Sequence, residues 1–268
     1  MRIARIAHAS GVDHALLEDG TAHLIADPFS PGGRRLRPLG RRVDLSAARL
    51  LAPTQPRTVV GMAHNTGEED RRLPPQAFLK PARSVIGPGE TVPLPPTAGH
   101  VDAEAELAVV LAGPLHGHTP ATVHHAVFGY TLADDVTSRD LQASDPLWTS
   151  AKGQAGFTPL GPWIETSLSL AQADDLELSL RVDGEQAPPA GTANLARGVA
   201  EILCHLAGYL PLGPGDVVLT GAPGRPLPLR PGSRAEISAE AIGTLAHPVA
   251  RPPAPQPRAA RPATEGAT

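Results

Sequence analysis

Val101-Asp102-Ala103-Glu104-Ala105-Glu106-Leu107-Ala108-Val109-Val110-Leu111 is the stretch that decides the fold. Its second half, Leu107 to Leu111, is an unbroken apolar run of the kind a strand shows when both its faces are buried. Glu104 and Glu106 stand two residues apart at the mouth of that run. In an extended chain this spacing sends both carboxylates to one face of a sheet. Two acids converging there repel one another unless positive charge lies between them, and a hard divalent cation is the usual partner of clustered oxygen ligands. A solvated strand end carrying two surface acids is the alternative.

A second stretch, Gly129-Tyr130-Thr131-Leu132-Ala133-Asp134-Asp135-Val136-Thr137-Ser138-Arg139-Asp140-Leu141-Gln142, runs from β-prone residues into acids, hydroxyls and an arginine. Asp135 could cap the next turn, or it could bring a third carboxylate to Glu104 and Glu106. The pair of motifs, Asp-x-Glu-x-Glu-Leu followed by Asp-Asp-Val-Thr-Ser-Arg-Asp-Leu-Gln, resembles the fumarylacetoacetate hydrolase family. The resemblance implies an α+β fold, a β-rich mixed β-roll preceded by a small N-terminal strand-rich subdomain. It also implies a divalent metal, Mg²⁺ (or Mn²⁺ or Ca²⁺), held by Glu104, Glu106 and Asp135.

Further matches run in order along the chain. Phe78-Leu79-Lys80-Pro81 and Trp148-Thr149-Ser150-Ala151-Lys152 resemble the family's two lysine-bearing motifs. Pro214-Gly215-Asp216, with Thr220-Gly221-Ala222-Pro223, resembles its threonine-glycine loop. By this resemblance Lys152 is catalytic and steadies an enolate or oxyanion, Arg139 and Gln142 hold a substrate carboxylate, and Lys80 and Thr220 border the pocket. Composition adds weight to the lysines: of 23 basic residues only Lys80 and Lys152 are lysine. A compact ammonium that survives such arginine bias marks a place where a guanidinium does not substitute.

The sequence departs from the family's pattern after the strand Thr58–Met62. The family's water-activating lid histidine falls on Gly67, and His64 with Glu68 is the available replacement, an i,i+4 pair on one helical face. Ala222 replaces a threonine, and Arg225 is new beside the expected pocket. The expected reaction is hydrolytic C–C cleavage of an acylpyruvate or related 1,3-dicarbonyl acid. Decarboxylation or isomerisation of a 2-oxo acid on the same site, or a non-catalytic relative, are the rival readings.

Other elements follow from local signals. Residues 1–50 read as the small β subdomain, with turns at Ser10–Val12 and Glu18–Gly20 and a loop over Ser30–Arg42. Residues 56–250 read as the catalytic domain, with helices at Thr119–Val127 and Leu195–Leu206 and a hairpin turn at Asp183-Gly184. Residues 251–268 are Pro/Ala-rich without periodicity and read as a disordered tail. With 27 acids against 23 bases, nucleic acid is excluded as an expected partner. No signal-peptide core or membrane span is evident, and the single Cys204 fits a reducing cytoplasm. The resemblance implies a homodimer.

Overall fold

The computed structural model describes residues 1–30 and 36–252. The expected tail over 251–268 therefore lies almost wholly outside the described residues.

Among the described residues strands dominate, in three sheets, two of them mixed and the three-stranded one antiparallel. The longest has the strands Arg2–His8, Thr158–Glu165, Val127–Asp134, Ala105–Leu111, Val217–Leu219, Val59–Ala63 and Gln76–Lys80 side by side in that order. Most neighbours are antiparallel, but Val217–Leu219 runs parallel to Val59–Ala63. The Leu107–Leu111 run sits at its middle, between Val127–Asp134 and Val217–Leu219. Leu107 and Val109 face a core shared with Leu178, Leu180, Ile237 and Leu245 of a six-stranded sheet and with Ile202 and Leu206 of the helix Val199–Ala207. Ala108 and Val110 face a second core with Ile3, Ile164 and Leu219. Burial on both faces is why this strand reads as continuous rather than alternating.

The N-terminal strands Arg2–His8, Gly11–Glu18 and Thr21–Ile25 extend the long sheet, because Arg2 and Ile3 pair with Glu165 and Ile164. The expected loop over Ser30–Arg42 is overturned in its second half. Pro38–Asp44 forms an edge strand on Thr21–Ile25, with His23 opposite Arg42 and Ile25 opposite Pro38. Proline is tolerated at such an edge, where its missing N–H faces no partner strand. The hairpin turn at Asp183-Gly184 has both residues at positive φ, 51° and 88°, as a two-residue hairpin requires.

Two helix expectations are corrected. Thr119–Val127 holds only a 3₁₀ turn at Val123–Ala126, and Val127 already belongs to a strand. Thr122 Oγ1 accepts the Thr119 N–H at 3.0 Å, a local bond that competes with helix propagation, and sheet pairing claims the β-branched Val127. In that turn the rings of the adjacent His124 and His125 have centroids 3.9 Å apart. The second helix begins at Val199, not Leu195. Gly198 precedes it, and Asp174 Oδ1 accepts the Val199 N–H at 2.8 Å.

One carboxylate fixes the parallel pair that leads into the site. Asp216 Oδ1 accepts the N–H groups of Arg57 (3.0 Å) and Thr58 (2.8 Å), and Oδ2 accepts that of Gly213 (2.8 Å). Asp216→Ala leaves these donors without the carboxylate in a site 4 % exposed. It should cost about 3 kcal/mol in chemical denaturation. A loss below about 1 kcal/mol would show that the strands hold their register without it.

Candidate active site

The chain breaks its strand geometry at Glu104. Val101–Ala103 pairs with Thr137–Ser138 and Leu227–Leu229 in a small sheet, whereas Ala105–Leu111 joins the long one. At the junction the Glu104 N–H donates to Asp134 Oδ1 (2.8 Å), and the Glu104 carbonyl accepts from the Asp135 N–H (3.0 Å). These bonds bring the two motif stretches together. Asp134 turns away from the pocket into the interior, where its Oδ2 lies 2.8 Å from His247 Nε2, both fully buried. Asp135 does not cap a turn; that role falls to Ser138, whose Oγ accepts the Leu141 N–H.

Glu104, Glu106, Asp135, Arg139, Gln142 and Lys152 all line one pocket of about 150 Å³. Both lysines of the chain end on Asp135. Lys80 Nζ donates to Oδ1 and to the Phe157 carbonyl (2.7 Å), and Lys152 Nζ donates to Oδ2 at 2.6 Å. Lys152 also donates to Glu104 Oε2 (2.9 Å) and Thr137 Oγ1 (2.7 Å), which uses all three of its hydrogens. Its Nζ lies 4.9 Å from the Phe78 ring and 5.7 Å from the Trp148 ring, so the ammonium has acids on one side and aromatic faces on the other. Trp148 adopts φ 58°, an uncommon conformation for a bulky residue, at the start of the short helix Thr149–Lys152.

Arg139 is engaged on three sides. Nε donates to Asp102 Oδ2 (2.8 Å), Nη1 to Gln142 Oε1 (3.0 Å) and Nη2 to Glu104 Oε1 (2.9 Å). Each terminal nitrogen keeps one further N–H, and the Gln142 amide nitrogen is left as a donor. The sequence reading missed Asp102 and Thr137, although both lie inside the quoted motifs.

Several expected placements are corrected. Lys80 is behind Asp135 and does not line the pocket. Thr220 is also behind it, its hydroxyl donating to the Leu107 carbonyl (3.0 Å); Gly221 and Ala222 form the wall instead. Gly221 has φ +105°, its N–H donates to Glu106 Oε2 (2.6 Å), and a Cβ there would meet the Asn65 carbonyl at 2.2 Å. Arg225 pairs with Glu185 (2.9 Å), away from the pocket. His64 and Glu68 share no helical face, because His64 has φ 53° and the 3₁₀ turn begins only at Glu68. His64 lines the pocket, Glu68 is exposed and outside it, and the acid that lines it from this loop is Asp70.

The acids differ sharply. Burial opposes charge on Glu104, but the cations of Lys152 and Arg139, with bonds from Lys152 and Thr137, outweigh it and hold the carboxyl at about 2. Glu106 goes the other way. Burial, then the neighbouring charges of Asp135 and Glu104, push its carboxyl well above the ordinary range. Among the described residues no three acid, histidine or cysteine groups are gathered tightly enough to hold a metal ion as they stand, since the Lys152 ammonium bridges Glu104 and Asp135. The donor chemistry nevertheless fits a hard divalent cation: three carboxylates face one pocket, and among the described residues Glu106 forms no ion pair within 4.0 Å.

The sequence of residues 49–250 matches the family model described as fumarylacetoacetate (FAA) hydrolase C-terminal, and residues 1–53 match one described as Rv2993c-like, N-terminal. Protein Rv2993c of Mycobacterium tuberculosis is 37 % identical, over 94 % of this chain and 98 % of that protein. The crystal structure of a 5-carboxymethyl-2-hydroxymuconate delta-isomerase from Mycobacterium smegmatis is 35 % identical, with a TM-score of 0.87 over 94 % of this chain and 100 % of that one. Oxaloacetate tautomerase Fahd2a, mitochondrial, of Rattus norvegicus is 32 % identical over 76 % of this chain and 70 % of that protein.

Two substitutions should act in opposite senses. Glu104 has a folded-state pKa below its unfolded value, so it contributes stability above about pH 4.5 that is lost as pH falls toward about 2. Glu104→Gln should therefore cost on the order of 3 kcal/mol at pH 7 and flatten the acid limb of stability against pH. Glu106 has a raised pKa, so its ionisation costs stability as pH climbs above the unfolded value. Glu106→Gln should raise the melting temperature in EDTA at pH 7 and abolish any Mg²⁺- or Mn²⁺-dependent rise. Melting curves in which Glu106→Gln still responds fully to metal would remove Glu106 from the ligand set.

Proposed function

Since the chain belongs to the fumarylacetoacetate hydrolase family, we propose that it is a divalent-metal-dependent enzyme acting on a 2-oxo or 1,3-dicarbonyl acid through an enolate. The observation that carries this reading is Glu106, a buried carboxylate facing two others across one pocket without a cation of its own. Glu104, Glu106 and Asp135 would hold the cation, which would supply charge that favours the enolate over the ketone.

The chain's own groups supply the rest. The spare N–H groups of Arg139 and the Gln142 amide hold the substrate carboxylate. Lys152 steadies the negative oxygen of the enolate, and Phe78 and Trp148 exclude water from that side. His64 is the group at the pocket wall suited to taking a proton from the carbon beside the carbonyl and returning it at a second position. Keto–enol isomerisation needs no more than this. It is favoured over C–C hydrolysis because Glu68, expected to help His64 activate water, stands outside the pocket. Names of relatives support the same side, one being a delta-isomerase and another an oxaloacetate tautomerase. Hydrolysis of an acylpyruvate remains the second reading, with Asp70 on the His64 loop as the acid in place of Glu68.

Oxaloacetate and an acylpyruvate assayed with Mg²⁺ in ¹⁸O-labelled water separate the readings. Faster loss of enol absorbance without label in a carboxylate supports isomerisation. Label in a product carboxylate from the acylpyruvate transfers the assignment to hydrolysis. Release of CO₂ as the main reaction would overturn both. Lys152→Arg keeps the charge but misplaces it, so turnover of the accepted substrate should fall about 10²-fold or more. Full activity in that variant would make Lys152 a structural cation.

A further inference from the structure

We infer that Arg197 is a positioning residue that latches the His64–Leu73 loop over the pocket before any substrate arrives. Arg197 is 4 % exposed, yet no carboxylate holds it closely: Glu201 Oε1 lies 3.7 Å from Nε and is itself half exposed. Its guanidinium is aimed instead at main-chain carbonyls of one loop. Nη1 donates to the His64 carbonyl (3.2 Å), and Nη2 donates to those of Asp70 (3.4 Å) and Leu73. The latter two lie at the end of the 3₁₀ turn Glu68–Arg72, where the Asp70 carbonyl also accepts the Leu73 N–H (3.0 Å) and the Leu73 carbonyl lies beyond the turn.

The main chain at Arg197 also holds Asn65 of the loop, which reaches the opposite wall. The main-chain N–H of Arg197 donates to Asn65 Oδ1 (2.7 Å), and Asn65 Nδ2 donates to the carbonyls of Arg197 (3.0 Å) and Thr220 (2.7 Å). Asn65 is fully buried, and its carbonyl packs where a Cβ on Gly221 would be. One side chain thus joins the loop to the Gly221 wall that orients Glu106.

Beyond Asn65, the described residues show little else that holds the loop down. Thr66, Glu68, Glu69, Arg71, Arg72 and Leu73 are all exposed, and the outer bond from Arg71 to Glu201 (3.1 Å) is a surface pair of small worth. Yet the loop carries His64, Thr66 and Asp70 into the pocket. Without the buried guanidinium, the His64 and Leu73 carbonyls lose their side-chain donor, the Asp70 carbonyl keeps only the Leu73 N–H, and the part of the loop beyond Asn65 opens. A Lys cannot span three carbonyls of one loop as the planar fork does. The role of His64 rests on the function proposed above; the latch itself does not.

The proteolysis and quenching arms of the test need neither substrate nor metal. Arg197→Met and Arg197→Lys are made in the full chain with Trp163→Phe, so that Trp148, beside His64 at 5.8 Å, is the sole indole. Native trypsin should cut at Arg71 or Arg72 about tenfold faster in Arg197→Met, because cleavage follows the open population. Acrylamide should quench Trp148 about twofold more strongly, since the loop no longer covers it. Arg197→Lys should fall between, and it serves alone if the Met variant does not fold. Unchanged nicking and quenching in a folded variant overturn the latch. So does equal acceleration at the distant Arg181 and Arg234, which would report global destabilisation. With the accepted substrate, Arg197→Met should lower kcat while leaving the Mg²⁺-dependent melting shift intact, and Arg197→Lys should recover part of it. Loss of the melting shift in Arg197→Met would overturn the separation of latch from metal site.

Discussion

Asp135 with an ammonium on each oxygen is the interaction on which the site depends. Removing a carboxylate from water is costly, and in this interior it is tolerated because Lys80 and Lys152 approach from opposite sides. The two do not share the burden equally. Burial, offset by Asp135 and then reinforced by the charge of Lys152, lowers the pKa of Lys80, whereas the acids Asp135 and Glu104 overcome burial and raise that of Lys152. Lys80 is the fixed support, hydrogen-bonded also to a backbone carbonyl. Lys152 is the ammonium that reaches the pocket.

That arrangement makes the charge balance of the site uneven by design of its geometry. Asp102 and Glu104 share Arg139, and Glu104 and Asp135 share Lys152. Glu106 is left with a backbone N–H from Gly221. A hydrogen bond of that kind orients a carboxyl group but does not compensate its charge, so burial beside Asp135 and Glu104 favours its protonated form. The same Gly221 that orients Glu106 packs on Asn65, which belongs to the loop bearing His64 and is bound in turn to the main chain of Arg197. The acid cluster and the proton-handling side of the pocket are therefore mechanically continuous.

The loop itself shows why local rules fail at a functional edge. His64 to Glu68 has the spacing of a helical pair, but Asn65 is drawn into the interior by three hydrogen bonds, and that pull forces His64 into positive φ. The gain in buried hydrogen bonds outweighs the backbone strain of about 1 kcal/mol or somewhat more. The result replaces a Glu68 partner with Asp70, which Thr66 N–H and Oγ1 bind at 2.9 Å each.

The sequence by itself determined the buried strand Leu107–Leu111, and its resemblance to a family implied the grouping of Glu104, Glu106 and Asp135 that the fold brings to one pocket. The apolar run is a local pattern, as is the scarcity of lysine that drew weight to Lys80 and Lys152. The sequence also determined the hairpin at Asp183-Gly184, whose turn chemistry is set by the two residues alone. Only the tertiary structure decided that Lys80 and Thr220 stand behind the pocket, that Arg225 leaves it for Glu185, and that Arg197 enters the argument at all. Those outcomes turn on partners more than fifty residues away in most cases, such as Asp135 for Lys80 and His64 for Arg197. A single chain's spacing carries no record of such contacts, because they are fixed by how the sheets pack and not by the residues beside them.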